Sequence, residues 1–263
     1  MKITEAKGHW ALVSGASSGI GREFAMQLAQ HGVHVVLVAR RKDRLDALAA
    51  ELRERCNVRI CVVAADMTQK GMVGELKERL AREGIRIRVL CNNAAFGRWG
   101  RFEETPPELY QEMIELNTTV VMKMCHAFLE DLSSYPTSLV INVSSPASYQ
   151  PIPYMAVYAA SKAFLHSFSM ALHGEWKARG VLVQTLVPGP TESEFDATAR
   201  AYESALTRRG TPGEVVRASL TRLDGRRPVI SSAKGTYKQR FFASLFPPSM
   251  VIREVGKMFT PPK

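Results

Sequence analysis

The chain has 263 residues, of which 46% are hydrophobic, and a formal net charge of +10 at pH 7. This composition provides enough apolar material for a large core and excludes a chain that is disordered throughout. The basic residues are spread over separate stretches without interleaved aromatic residues, which is typical of a solvated surface, so no nucleic-acid partner is predicted.

The sequence also bears on localisation and on metal binding. No window contains the run of about 20 apolar residues that a membrane-spanning helix needs, and the polar residues 1–8 do not resemble a signal peptide. The four cysteines (56, 61, 91 and 125) have neither CxxC spacing nor an accompanying histidine cluster. We therefore expect a cytoplasmic protein with reduced cysteines and no metal site.

The first elements are a strand, a glycine-rich turn, a helix and a second strand. An apolar stretch at 10–13 precedes the turn, a helical pattern covers 23–30, and a second apolar run covers 33–39. Four such elements within about thirty residues are typical of a βαβ unit.

The same alternation continues along the chain. Further strands are predicted at 60–64, 88–91, 138–143, 181–187 and 228–231. Further helices are predicted at 45–55, 71–82, 107–132 and 156–179, and from Thr211 onward. Apolar strands alternating with amphipathic helices predict an α/β fold with a doubly wound, Rossmann-type parallel sheet and helices on both faces. Without an internal repeat or a low-complexity linker, residues 1–263 are predicted to form a single domain.

The turn after the first strand is the first candidate binding element. Its glycines follow the spacing Gly-x-x-x-Gly-x-Gly, which lets the backbone approach a pyrophosphate at the start of the next helix. The same spacing also suits a tight turn without a ligand. The candidate cofactor contacts in this turn are Ser14, Gly15, Ser17, Ser18, Gly19, Ile20 and Gly21.

The end of the second strand bears on the choice of nucleotide. Ala39 is followed by Arg40 and Arg41, whereas an NAD site would carry a carboxylate here to bind the adenosine ribose. A small residue followed by arginines leaves room and positive charge for a 2′-phosphate, so NADP is the predicted cofactor. In the alternative interpretation, the two arginines simply begin a solvated helix.

A tyrosine and a lysine stand four residues apart, as Tyr158 and Lys162. This spacing puts both side chains on one face of the predicted helix. A nearby ammonium favours tyrosinate, so we expect Lys162 to lower the pKa of Tyr158. Because the same pair is common as a half-buried tyrosine and a surface lysine, its context decides between the two interpretations.

That context supplies two more polar residues. Ser145 follows a predicted buried strand, where its hydroxyl can polarise a substrate carbonyl, while Ser144 is one residue out of register and should face away. Asn117 lies in an otherwise apolar stretch of a predicted helix, where an amide needs a specific partner.

In their order and spacing these motifs resemble those of the short-chain dehydrogenase/reductase family. The glycine spacing is similar to the family's own, and Asn117, Ser145, Tyr158 and Lys162 match its Asn-Ser-Tyr-Lys tetrad. The resemblance implies a nicotinamide-dependent oxidoreductase in which Tyr158 is the general acid in reduction and Ser145 orients the carbonyl. Lys162 would lower the tyrosine pKa and hold the nicotinamide ribose, with Asn117 keeping a water in the proton relay.

The resemblance implies further cofactor contacts after three strands. These are Asp66 and Met67 at the adenine, Asn92 and Ala94 in an Asn-Asn-Ala-Gly motif, and Pro188, Gly189 and Thr191 beside the nicotinamide. The sequence departs from the family at Ala95, where glycine is usual. The added methyl group is tolerated only if φ is negative at this position.

The substrate is expected to contact the region 191–227, which forms a mobile lid in the family, and the residues that follow Ser145. Those residues are largely apolar or aromatic, which favours a lipophilic ketone or alcohol such as a 3-ketoacyl, steroid-like or alicyclic compound. They equally suit packing of the lid onto the sheet. They are Pro146, Tyr149, Ile152, Pro153 and Met155.

The tail, residues 237–263, mixes basic with apolar residues. Such a pattern suits contact with another subunit or peripheral attachment to a membrane, and it resembles the tails of membrane-associated 3-ketoacyl and 17β-hydroxysteroid reductases of the family. The family also implies a homo-dimer or homo-tetramer. Two alternatives to an enzyme stay open: a catalytically silent nucleotide sensor, and a binding module docked to a membrane by this tail.

Overall fold

The computed structural model of the chain describes residues 1–199, 209–223, 225–232 and 236–260. Seven strands form one sheet in the order β3-β2-β1-β4-β5-β6-β7, and every pairing is parallel. The strands are β1 Trp10–Ser14, β2 His34–Ala39, β3 Ile60–Ala64, β4 Ile87–Asn92, β5 Ser138–Val143, β6 Val181–Val187 and β7 Val229–Ser231.

Helices connect the strands and follow the last one. They are α1 Gly19–Gln30, α2 Lys42–Arg55, α3 Met72–Arg82, α4 Pro107–Ile114, α5 Val120–Ser133, α6 Ala156–Trp176, α7 Phe195–Ala199, α8 Pro212–Leu220, α9 Thr236–Leu245 and α10 Pro248–Phe259. Among the described residues, no helix combines the length and apolar character needed to cross a membrane.

Both faces of the sheet are buried. In β1, Ala11 and Val13 face a first apolar core that contains residues of α1, α2 and α8, whereas Leu12 faces a second core with α3, α5 and α6. Because successive side chains of a strand point to opposite faces, this alternation means that helices cover both sides of the sheet. The predicted doubly wound parallel fold is confirmed.

The helix predicted over 107–132 is interrupted. The segment Glu115–Thr119 is π-helical, and α4 and α5 adjoin it on either side. The apolar periodicity runs through this segment, so the sequence gives little sign of the extra residue that a π turn inserts.

The helix predicted from Thr211 is confirmed with its cap. The hydroxyl of Thr211 accepts a hydrogen bond from the Glu214 N–H at 3.3 Å, and the Glu214 carboxylate accepts one from the Thr211 N–H at 3.1 Å. This reciprocal pair satisfies two donors at the start of α8.

The tail forms α9 and α10, and one side of α10 lies against the body of the fold. Val251 and Val255 are buried in a third apolar core, together with Trp99 and Tyr158. The indole N–H of Trp99 donates to the carbonyl oxygen of Phe259 at 2.8 Å. Part of the tail's apolar surface is therefore used within the chain.

Candidate active site

The glycine-rich turn has a backbone that only glycine adopts readily. Gly15 has φ +68° and Gly19 φ +53°, in the left-handed region that other residues rarely enter. A Cβ on Gly21 would lie 2.2 Å from the carbonyl oxygen of Gly15, so the start of α1 can approach the turn only with glycine at this position. Helix α1 begins at Gly19, four residues earlier than predicted.

The end of β4 is tied to this turn by Ser14. The Ser14 hydroxyl accepts hydrogen bonds from the N–H groups of Asn93 and Ala94 at 3.0 and 3.1 Å. The Asn93 amide donates in turn to the carbonyl of Ser14 at 3.0 Å. The side chain of Ser14 is thus occupied in joining two loops, and Asn93 is a positioning residue that the sequence analysis missed.

Arg41 lies directly on the turn. Its guanidinium donates to the hydroxyls of Ser17 and Ser18 at 2.9 Å each, and to the Glu194 carboxylate at 2.6 Å. Arg44, one turn along α2, binds the other oxygen of the same carboxylate. Arg44 and Glu194 were not predicted as site residues.

Arg40 points away from the turn. Its side chain is 64% exposed and pairs with Glu112 at 3.4 Å and with Asp66 at 4.0 Å. The Asp66 carboxylate also accepts hydrogen bonds from the N–H and hydroxyl of Thr68. Met67 is buried in the second core, so its side chain packs rather than lining a cleft.

The side chain of Asn92 is also buried. It is 3% exposed, and its amide donates to the Asn142 side chain at 2.8 Å between β4 and β5. A strand turns alternate residues to opposite faces, and the Asn92 side chain faces the helical layer, where its amide also lies 3.5 Å from the Cys125 sulfur. Its predicted contact with the cofactor stays a prediction. Ala95 has no positive φ, so the methyl group that departs from the family motif is accommodated.

The structure brings Ser145, Tyr158 and Lys162 together. Tyr158 and Lys162 lie on one face of α6, with the lysine Nζ 5.8 Å from the centre of the tyrosine ring. Ser145, two residues beyond β5, lies beside Tyr158, and its hydroxyl works to lower the pKa of the phenol. Ser144 instead donates to the Lys162 carbonyl, away from the phenol, as predicted.

The expected direction of the Tyr158 pKa is wrong for this structure. Burial raises the pKa of Tyr158 to about 12, against the lowering by Ser145, and the negative charge of Asp196 adds to the rise. The ring is only 8% exposed. Desolvation of the phenolate therefore outweighs the lowering of its pKa by Ser145.

Lys162 is buried beside the tyrosine. Its Nζ donates to the carbonyl oxygen of Val143 at 2.9 Å, and the residue is 3% exposed. Burial lowers the pKa of Lys162 to about 7, because the ammonium loses its hydration. The amine thus changes charge close to neutral pH.

Asn117 lies one step behind this pair, within the π-helical segment. Its amide donates to the Ser161 hydroxyl at 3.0 Å and to the Phe96 carbonyl at 3.0 Å, and it accepts from the Phe96 N–H at 3.2 Å. The Ser161 hydroxyl donates to the Tyr158 carbonyl at 2.7 Å. Asn117 is fully buried and holds the start of α6 to the loop after β4.

The segment after β6 lies at the carboxyl ends of the strands, as the glycine turn and Ser145 do. Pro188 and Gly189 follow the strand directly, and the Thr191 hydroxyl donates back to the Gly189 carbonyl at 2.7 Å. Thr191 also pairs with Gly210 in an isolated parallel bridge. Its predicted contact with a nicotinamide carboxamide stays a prediction.

An apolar wall surrounds the phenol. The third core contains Tyr158, and the ring of Phe195 lies over it at a centroid distance of 5.3 Å. Of the residues predicted to line the substrate, Ile152 and Met155 belong to this core. Trp99 was not predicted, and Phe195 was predicted only as part of the region 191–227. Residues 200–208 and 224 of that region lie outside the described residues.

A cavity of about 780 Å³ opens beside the glycine turn. Its walls come from the turn, from α2, from residues 192–194 and from the start of α8. The glycine cradle, which a Cβ would fill, and the guanidinium of Arg41 on Ser17 and Ser18 suit an anionic dinucleotide. Among the described residues, no cluster of side chains is suited to hold a metal ion.

Fold and site together define a dinucleotide-binding α/β protein. The short chain dehydrogenase family model matches residues 9–204, so the chain belongs to that family. A short-chain dehydrogenase from Sphingobium yanoikuyae, solved in complex with NADPH, is 32% identical; the match covers 91% of this chain and 96% of that one, with a TM-score of 0.80.

Two curated relatives are larger proteins. A 17-beta-hydroxysteroid dehydrogenase type 3 from Mus musculus is 36% identical, and a very-long-chain 3-oxoacyl-CoA reductase from Homo sapiens is 34% identical. Each match covers 69% of this chain and 59% of the relative. The chain thus matches about three fifths of the length of these relatives.

Proposed function

We propose that the protein is an NADP(H)-dependent oxidoreductase that interconverts a carbonyl and a secondary alcohol on a lipophilic substrate. The observation that carries this proposal is the buried contact of Tyr158 with Ser145 and Lys162. A phenol, a hydroxyl and an amine at one point in an apolar wall are the groups that proton transfer to a carbonyl oxygen requires.

In the reduction, Tyr158 is the general acid. With a pKa of about 12, its phenol is protonated at neutral pH and can donate to a developing alkoxide. The Ser145 hydroxyl, beside the phenol, orients the carbonyl oxygen toward it. Lys162 places positive charge beside the phenol when protonated, while the bound cofactor supplies the hydride.

The preference for NADP(H) is supported by Arg41. This side chain donates to Ser17 and Ser18 in the glycine turn, beside the position of a bound nucleotide. A guanidinium there can form a bidentate pair with a 2′-phosphate. The NADPH bound by the Sphingobium relative supports the same choice. Arg40, which is exposed and pairs with Glu112, adds positive charge next to Arg41, and its predicted contact with the cofactor stays a prediction.

The substrate class is supported by the third core. Its residues around Tyr158 are apolar, which suits a steroid-like, 3-ketoacyl or alicyclic ketone better than a sugar. The curated relatives are by name a hydroxysteroid dehydrogenase and a 3-oxoacyl-CoA reductase. A cytoplasmic location, a homo-dimer or homo-tetramer, and peripheral membrane contact through the tail are proposed alongside and stay predictions.

The test is a fluorescence titration with NADPH and with NADH, followed by assays on a panel of lipophilic ketones. Tyr158→Phe is expected to bind NADPH as the wild type does and to lose about 100-fold or more in turnover. Tyr110→Phe is the matched control, because Tyr110 packs against the same core while its hydroxyl bonds only to Phe102.

Both the cofactor titration and the ketone assays can contradict the proposal. Tighter binding of NADH than of NADPH would refute the cofactor assignment. Ketone reduction that survives in Tyr158→Phe would refute the catalytic assignment, and NADPH binding without turnover of any ketone by the wild type would favour a nucleotide sensor.

A further inference from the structure

Two arginines beside the glycine turn, Arg41 and Arg44, already bind a carboxylate of the same chain, that of Glu194. The Glu194 carboxylate places one oxygen 2.6 Å from Arg41 and the other on Arg44. Arg41 in turn donates to Ser17 and Ser18. One carboxylate thus bridges the guanidinium of Arg41, just before α2, and that of Arg44 in the first turn of α2.

A phosphate monoester would need the same partners. Guanidinium groups bind carboxylate and phosphate oxygens with the same forked geometry. Because Glu194 uses the Arg41 nitrogen that does not bind the serines, a phosphate on that arginine must share or take over this contact. The two anions also repel each other at such a distance.

We infer that Glu194 is a specificity-determining residue that competes with the 2′-phosphate of NADP(H) for Arg41 and Arg44. This inference rests on the proposed NADP(H) function. Glu194 lies in the predicted lid, outside both the glycine turn and the tetrad. A lid residue would thus contribute to the choice between NADP(H) and NAD(H).

The exposure of the cluster makes the exchange feasible. The side chains of Arg41, Arg44 and Glu194 are 40%, 44% and 47% exposed, and ion pairs at such sites are weak and screened by salt. Hydrogen bonds from Arg44 and Arg41 lower the pKa of Glu194 to about 2. The carboxylate therefore stays charged at physiological pH and competes throughout that range.

Position 194 is also coupled to the catalytic tyrosine by the chain itself. Phe195 follows directly and packs on Tyr158 at 5.3 Å between ring centres. Since adjacent Cα atoms are about 3.8 Å apart, a backbone shift at Glu194 would also move Phe195 relative to the phenol.

The experiment uses two ligands that lack the nicotinamide, adenosine 2′,5′-bisphosphate and 5′-AMP, in calorimetric titrations of the full chain. Glu194→Gln is expected to bind the bisphosphate about 3- to 10-fold more tightly, from the loss of two exposed ion pairs. Its affinity for 5′-AMP should change less than about twofold, within the scatter of surface substitutions.

Glu192→Gln is the matched control, because Glu192 lines the same cavity and its removal changes the net charge equally. Among the described residues, Arg41 and Arg44 form ion pairs with Glu194 and not with Glu192. In an Arg41→Ala background the effect of Glu194→Gln should shrink, as a coupled pair requires.

The outcomes separate this inference from the proposed function. Unchanged bisphosphate affinity in Glu194→Gln, an equal gain for 5′-AMP, or an equal gain in Glu192→Gln would each overturn the inference. A wild type that binds both ligands equally would count against NADP preference alone, and a selective gain in Glu194→Gln would still support the competition.

Discussion

The ring of Phe195 lies over the ring of Tyr158, with 5.3 Å between their centres. The two residues come from different parts of the fold, since Phe195 begins α7 and Tyr158 lies in the first turn of α6. A Cβ on Gly97 would lie 2.7 Å from the Phe195 ring and 3.2 Å from that of Tyr158, so the loop after β4 closes tightly on both.

Removing the Phe195 ring from Tyr158 is expected to lower the pKa of Tyr158. Burial is the leading cause of its raised value, so Phe195→Ala should bring the pKa down by about one unit. In the proposed mechanism Tyr158 must be deprotonated for alcohol oxidation, so the pH at which the oxidation rate rises should fall by the same amount. The measurement is the pH profile of alcohol oxidation with saturating cofactor.

Phe195→Leu is the control for this variant, because an aliphatic side chain at that position keeps much of the cover. Its profile should lie between those of the wild type and Phe195→Ala. A Phe195→Ala profile that coincides with the wild type would mean that burial of the phenol does not depend on this contact.

The buried Lys162 predicts a pH-dependent cost to stability in the protein without ligand. Its pKa is about 7 when folded and about 10.4 when unfolded. Between these values the unfolded chain binds more protons, so the free energy of unfolding of the wild type rises with pH. Below pH 7 both states are protonated and the full cost persists.

Lys162→Met removes this titration. The stability advantage of the variant over the wild type should therefore be largest at or below about pH 7 and shrink by about 2 kcal/mol by pH 9. Urea denaturation of both proteins at the two pH values measures it. A difference that is constant with pH would show that the amine is not buried as the structure describes.

The packing of α10 predicts different effects on its two faces. Val255 is 4% exposed beside Tyr158 and Trp99, so Val255→Asp places a charge in an apolar core and should cost about 2–4 kcal/mol. Ile252, 43% exposed on the same helix, is the control, and Ile252→Asp should change stability by less than about 0.5 kcal/mol.

The emission of Trp99 reports whether α10 stays docked, because its indole is 3% exposed and bonds to Phe259. A red shift in Val255→Asp that disappears in a Trp99→Phe background is the expected signal. Equal shifts in the Val255 and Ile252 variants would contradict the described orientation of α10.

Local patterns predicted much of this protein. The strand and helix alternation gave the sheet, and the spacing of Tyr158 and Lys162 gave their shared helix face, since both depend on residues close in sequence. Strand alternation also accounts for the different surroundings of two neighbouring asparagines, because Asn92 in β4 bonds to Asn142 while Asn93, just beyond the strand, bonds to Ser14.

The contacts that close the site could not be predicted in this way. Glu194 meets Arg41 across 153 residues, and neither residue is unusual in its local sequence. The pKa of Tyr158 was misjudged for a related reason, because the proximity of Lys162 is visible in the sequence but the burial by Phe195 and the third core is not. Burial decided the direction of the shift.

The π-helical segment joins α4 and α5 into one continuous helix whose two halves pack in different apolar cores. Met113, before the segment, packs in the core around Tyr158, whereas Val120 and Val121, after it, pack under the sheet. Each residue turns a helix by about 100°, so the inserted residue re-aims the apolar stripe of α5 relative to that of α4. Asn117 lies in the π-helical segment, where this change of direction occurs. The change of direction lets α4 pack in the core around Tyr158 while α5 packs in the core under the sheet.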